Sequence, residues 1–272
     1  MSDDRKQQRR TGRRTGVRVA ALVLAACVVA LGATGCEPRA SRKDRTILFI
    51  HGWEAFGNGT DCSSTFGALE ANLKAQGFTG KMITIGYYDS DKNCDVNLRN
   101  WGSVDNSTSW KDLGKAFSKY VHDTFSAKNQ PVDVVSHSMG GLIVRGAVQG
   151  AQAKEAGFSQ PLMVEDVATL AAPFAGAAWY SNFCLWGQCA GLKPGASDIK
   201  WLATNTNPQG SGGTEWTAFG STNDDVVPWG SALSIGVPDA QKVKYSSLEH
   251  SDYMGNGTCQ ARVGGALADA GV

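Results

Sequence analysis

From Thr46 onward, short apolar runs alternate with longer segments whose apolar residues recur every three to four positions. Thr46 to Ile50 is largely apolar, the pattern of a strand covered on both faces. Lys81 to Tyr87, Val132 to Val135, Val164 to Leu170, Glu215 to Phe219 and Lys242 to Ser246 predict five more strands. Between them, Ser64 to Gln76 predicts a helix with Phe66, Leu69 and Leu73 on one stripe and Gly77 to stop it. Ser109 is placed to cap a second helix, with Asp112 at its third position and Trp110, Leu113, Phe117, Tyr120 and Val121 at helical spacing. Met139 to Ala153 predicts a third helix, and alanine-rich Ala261 to Ala270 a closing one. Strands alternating with helices specify an α/β domain: a mostly parallel, six-stranded sheet with helices on both faces. Residues 171–214 break the rhythm; they are rich in Gly, Trp and Phe, show no period, and are too long for a plain connection.

Charge changes this picture only at the N-terminus. Residues 1–35 hold seven of the 26 Lys and Arg but two of the 25 Asp and Glu, leaving 19 basic against 23 acidic side chains, a net of −4, for the rest. No basic face remains for nucleic acid. Arg9, Arg10, Arg13, Arg14 and Arg18 form a basic stretch, and Val17 to Leu31 is apolar apart from Arg18, followed by Gly32-Ala33-Thr34-Gly35-Cys36. That order reads as a signal peptide over residues 1–35, since the run is shorter than the roughly 20 residues of a membrane span. Ala33-Thr34-Gly35-Cys36 also resembles a bacterial lipobox, which implies acylation of Cys36, membrane anchoring there, and a tether over residues 36–45. The folded domain is then expected over residues 46–272, secreted or lipid-anchored on the outer face of the cell membrane, as a monomer. Export permits disulfides; Cys62–Cys94 and Cys184–Cys189 are the expected pairs, with Cys259 left over. With no CxxC pair, zinc is not expected.

Val132-Asp133-Val134-Val135 runs directly into Ser136-His137-Ser138-Met139-Gly140-Gly141 and then a helix. A serine at a tight strand-to-helix turn, with small residues two before and two after, is the context of an exposed nucleophile. Its hydroxyl needs a base. Of the four histidines, His51 follows the first strand, His122 lies mid-helix, and His137 is adjacent to Ser138 and expected to point away from it. His250, after the last strand, remains. The acid that orients it is sought between the two in sequence, where Asp224 and Asp225 follow the fifth expected strand; Asp224 is chosen as nearer the strand end, with Asp225 the alternative. Two backbone N–H groups complete an oxyanion hole: Met139, after the nucleophile, and Trp53, in the loop His51-Gly52-Trp53.

With these residues in view, the chain resembles the α/β-hydrolase superfamily and, within it, the small secreted bacterial triacylglycerol lipases of the lipase class 2 group. The likeness rests on Phe49-Ile50-His51-Gly52-Trp53, Ser136 to Gly141, Asn223 to Pro228, and Glu249-His250, and spans about residues 46–255. It departs at Ser136, where glycine is usual, and at Phe174, where such lipases often carry histidine. It implies a Ser138–His250–Asp224 triad, an oxyanion hole from Trp53 and Met139, no cofactor, no metal, and a lipid or other ester substrate. Phe56, Phe174, Trp179, Phe183 and Trp186 are candidates for an apolar acyl pocket. Thioesterase, acyltransferase or polyester depolymerase chemistry would use the same triad, and a catalytically silent binding protein is the remaining reading. Asp89 to Asp95 spaces oxygen ligands like the start of a calcium loop, but Cys94 and Asn100 replace the glycine and glutamate such a loop needs; a solvated loop pinned through Cys94 is expected instead.

Overall fold

The computed structural model describes residues 42–54, 58–177, 187–205 and 213–268. Its centre is one parallel sheet of β1 (Thr46–Ile50), β2 (Met82–Gly86), β3 (Val96–Asn97), β4 (Val132–His137), β5 (Val164–Leu170), β6 (Glu215–Ser221) and β7 (Lys242–Tyr245), in the order β3-β2-β1-β4-β5-β6-β7. The expected six strands become seven because β3, two residues long, is too short to show any periodicity. Every neighbouring pair is parallel.

The helices are α1 (Cys62–Ala75), α2 (Trp110–Thr124), α3 (Met139–Gln152), α4 (Gly187–Ala190), α5 (Ser197–Leu202), α6 (Trp229–Ala232) and α7 (Gly257–Leu267). Side chains of β1 point alternately to the two faces. Leu48 and Ile50 join Leu113, Phe117, Leu142 and Ile143 of α2 and α3 in one core. Ile47 and Phe49 join Phe66, Leu69, Val263 and Leu267 of α1 and α7 in the other. α1 starts at Cys62, two residues before the expected Ser64, because the Asp61 side chain accepts hydrogen bonds from the amides of Ser63 and Ser64 and caps it there. α7 starts four residues before the expected Ala261, where Asn256 caps it through Cys259 N–H. Residues 171–214, expected to be irregular, contain the short helices α4 and α5.

The expected tether ends early. Arg45 is buried and pairs with Asp133 at 2.9 Å and Asp166 at 2.8 Å, so residues 42–45 belong to the packed domain. The signal-peptide and lipobox residues lie outside the described residues.

β1 and β4 are adjacent, yet the chain continues from β1 to β2 and β3 on one side and from β4 to β5, β6 and β7 on the other. Such a switch point opens a crevice at the carboxyl ends of the two central strands. Gly52 and Trp53 leave β1 there, and Ser138 leaves β4.

Candidate active site

Ser138 stands between β4 and α3 with φ +53° and ψ −128°. A non-glycine residue at that φ is strained by about 1–3 kcal/mol, held only because the surroundings over-determine it. The close packing is visible at two glycines. A Cβ on Gly140 would meet Ile50 O and His51 O at 2.6 Å, and one on Gly52 would meet Ser138 Cβ at 2.7 Å. Ser136, where the turn favours glycine, fits because its side chain is small; it is fully buried, with no hydrogen-bond partner for Oγ among the described residues.

His250 Nε2 lies 3.0 Å from Ser138 Oγ, and its Nδ1 lies 3.0 and 3.2 Å from the two oxygens of Asp224. A carboxylate accepts, so Nδ1 carries the proton and Nε2 is left to accept from the serine hydroxyl. Asp224 is buried; it also accepts from the amides of Val226 (3.0 Å) and Val227 (2.8 Å) and from the Tyr253 hydroxyl (3.3 Å). Burial alone would raise its pKa, but the hydrogen bond and charge of His250 and the two amides outweigh it and hold the carboxyl below the ordinary range. Asp225, its neighbour in sequence, is exposed at the rim. The cleft over Ser138 has a volume of about 470 Å³ and is walled by Gly52, Trp53, Thr65, Val226, His250 and Met254. Met139, the first residue of α3, is fully buried, and its N–H belongs to the unpaired first turn of that helix.

His137 does not simply point away from the nucleophile. Its Nε2 donates to the backbone oxygen of His250 at 2.8 Å, and the two rings lie 4.7 Å apart. Burial, and then the nearby His250, pushes its pKa down to about 3, so it stays neutral and holds the His250 main chain as an N–H donor. The consequence for stability has a definite sign. In the unfolded chain a histidine takes up a proton near pH 6.5, whereas this one resists it in the fold, so stability is full above about 6.5 and is lost as pH falls toward about 3, by up to about 1.4 kcal/mol per pH unit. Urea unfolding at pH 7, 6 and 5 is expected to show this loss in the wild type and a smaller one in His137→Gln. Equal slopes would rule the histidine out as the source.

The candidate acyl-pocket residues divide. Phe56, Trp179, Phe183 and Trp186 lie outside the described residues. Phe174 is buried; its ring lies under the Arg145 guanidinium at 4.9 Å and lines a hollow with Ile199 and Leu233, and it is not among the described residues that wall the cleft over Ser138. An aromatic in an aperiodic stretch gave no sign of which side it faced. The loop at Asp89–Asp95 is also not simply solvated. Asp89 accepts from Asn106, Asp95 from Thr84, and the Asp91 side chain is fully buried. Cys62 and Cys94 form a disulfide as expected. Cys189 is also disulfide-bonded, with a partner outside the described residues, and Cys259 is free and buried.

A parallel sheet with this strand order, a serine on a strained strand-to-helix turn and a hydrogen-bonded His–Asp pair on the last two strand ends define a serine hydrolase of the α/β-hydrolase fold. Residues 40–193 match the model of the family described as putative serine esterase (DUF676), and the chain belongs to that family. It is a serine-dependent carboxylic ester hydrolase. No curated protein matches the chain. Among solved structures it is similar to the mature lipase BlEst2 of Bacillus licheniformis (15% identity, 84% of this chain and 91% of that one, TM-score 0.53). It is also similar to EstA of Clostridium botulinum (11%, 86% and 89%, 0.54) and to a monoacylglycerol lipase of Paleococcus ferrophilus (12%, 85% and 96%, 0.51). At these identities the likeness is one of fold.

Proposed function

We propose that this enzyme is an exported lipase-type esterase, of the small secreted bacterial triacylglycerol lipase kind, working through an acyl-enzyme on Ser138. The observation that carries the reading is the unbroken line Ser138 Oγ–His250–Asp224 at the end of β4. Oγ forms a bond to the ester carbonyl carbon as its proton passes to His250 Nε2. The carbonyl electron pair moves to oxygen, which the N–H groups of Trp53 and Met139 receive. Collapse expels the alcohol, which takes the proton from His250. Water then gives a proton to His250 Nε2 as its oxygen bonds to the acyl carbon; collapse breaks the bond to Ser138 Oγ, which takes that proton back from His250, and the carboxylic acid leaves. Asp224 keeps Nδ1 protonated throughout. The steps balance without a cofactor.

Residues 1–35 act as the export signal in this reading, Cys36 as a lipid anchor, and the catalytic domain works as a monomer outside the cell. The Cys62–Cys94 disulfide supports an oxidising compartment. The stretch after β5 is read as a fixed rim and not a hinged lid. Its described part is held by Trp110 Nε1 on Gly191 O (2.9 Å), Gln149 Nε2 on Trp201 O (2.8 Å) and Arg145 on Asn205 O (3.1 Å).

The test is expression of the full chain in a bacterial host, with mass measurement of the mature product and assay on esters of increasing acyl length and on triacylglycerol. The expected result is an N-terminus at acylated Cys36 and ester hydrolysis with no abrupt jump in rate as substrate passes from solution into micelles. Preference for thioesters would move the enzyme out of the lipase class. A steep jump abolished by shortening residues 177–190 would mean the rim is a lid.

A further inference from the structure

Asp91 lies in the loop after β2, and its side chain is fully buried. Its carboxylate accepts from the amides of Thr60 (2.7 Å), Tyr87 (2.6 Å) and Tyr88 (2.8 Å) and faces His51 Nε2 at 3.1 Å. Burial would raise its pKa, but the hydrogen bond and charge of His51, together with the amides, hold it below the ordinary range, so it is ionised. The other ring nitrogen of His51, Nδ1, lies 2.8 Å from Gly52 O, which can only accept. The ring is thus held at both nitrogens, by a carboxylate on one side and a carbonyl on the other. It stacks on Tyr87 with centroids 4.3 Å apart, and the Tyr87 hydroxyl donates to the same Gly52 oxygen.

The peptide on the far side of Trp53 is tied as well: Glu54 N–H donates to the Tyr88 hydroxyl oxygen at 3.1 Å. In a trans peptide the C=O and the following N–H point to opposite sides of the chain. Holding Gly52 C=O on His51 and Tyr87 therefore turns Trp53 N–H the other way, on a segment that packs against Ser138 and walls the cleft.

We propose that Asp91 is a positioning residue for ester hydrolysis: its carboxylate anchors the His51 ring through Nε2, His51 Nδ1 fixes the Gly52–Trp53 peptide, and Trp53 N–H is thereby aimed at the oxyanion. The inference rests on the triad and oxyanion-hole reading above. It also gives the disulfide a place in the chemistry. Cys62–Cys94 and the pairing of Lys92 N–H with Thr60 O (2.8 Å) and of Cys62 N–H with Lys92 O (2.9 Å) staple the loop that carries Asp91.

The test compares variants of the full chain on a soluble p-nitrophenyl ester. Asp91→Asn keeps the shape and an oxygen for the Tyr87 and Tyr88 amides, which share Oδ2, but removes the charge and turns an NH₂ toward Thr60 N–H, which pairs with Oδ1. It is expected to lower kcat by about 10- to 100-fold, less than the roughly 10²–10³ of losing an oxyanion donor outright, with KM within about twofold. His51→Asn retains a donor near the place of Nδ1 and is expected to keep more kcat than His51→Phe, which fills the space and donates nothing. Asp91→Asn added to His51→Phe should cost little more, because the first acts through the second. Thermal unfolding of each variant gives its folded fraction. Loss that tracks the folded fraction alone, loss confined to KM, or equal kcat for His51→Asn and His51→Phe would overturn the positioning role. An active wild type with undiminished Asp91→Asn would overturn this inference and leave the triad standing. A wild type without ester hydrolysis and unlabelled by a fluorophosphonate would overturn both.

Discussion

Ser138→Ala is expected to remain folded and to lose ester hydrolysis by on the order of a million-fold in kcat. Among the described residues the hydroxyl has one side-chain partner, His250 Nε2, and no part in the core. Alanine at φ +53° carries the same backbone strain as serine, so the variant's stability should stay within about 1 kcal/mol of the wild type. The loss therefore belongs to chemistry: without Oγ no acyl-enzyme forms, and only the oxyanion donors and binding remain. A fluorophosphonate, which needs an activated nucleophile, should label the wild type at Ser138 alone. Labelling at another residue, or near-normal turnover in the variant, would place the nucleophile elsewhere.

The parts of this site that could be read in sequence are those whose demands are local. A tight turn between an apolar strand and a helix needs small neighbours, so Ser138, Met139 and Gly140 announce themselves within ten residues. His250 and Asp224 follow from chain order, since each lies just past an expected strand. The parallel sheet follows from the alternation of elements, although β3 has only two residues and gives no pattern to detect. What could not be read is whatever several loops build together. His51, Asp91 and Tyr87 come from two strand ends and a loop up to 40 residues apart, and nothing near Asp91 distinguishes it from Asp89 or Asp95. The role of His137 depends on where the chain returns 113 residues later. Arg45 misled for the opposite reason: an arginine in a polar stretch resembles a tether, until a partner buries it.

The two adjacent aspartates separate most sharply in their expected effects. Asp224→Asn should cut kcat/KM on a soluble ester by about ten-thousand-fold. Asp224 accepts from His250 Nδ1 through both oxygens and from two amides through one of them. The amides of Val226 and Val227 keep an oxygen turned toward themselves, so in the asparagine variant the new NH₂ faces the imidazole. Nδ1 must then accept, the ring proton moves to Nε2, and Nε2 can no longer take the proton of Ser138. The fold should persist, because the asparagine oxygen still accepts from the amides. Asp225 is exposed at the cleft rim and makes none of these bonds. Asp225→Asn removes only a solvated charge, whose influence water and salt screen, and should change kcat/KM by no more than about threefold. Steady-state kinetics on both variants, with circular dichroism to confirm folding, decides the assignment. If Asp225→Asn is the crippling change and Asp224→Asn is mild, the acid lies one residue further along the chain and the hydrogen-bonded line through Asp224 is not the catalytic one.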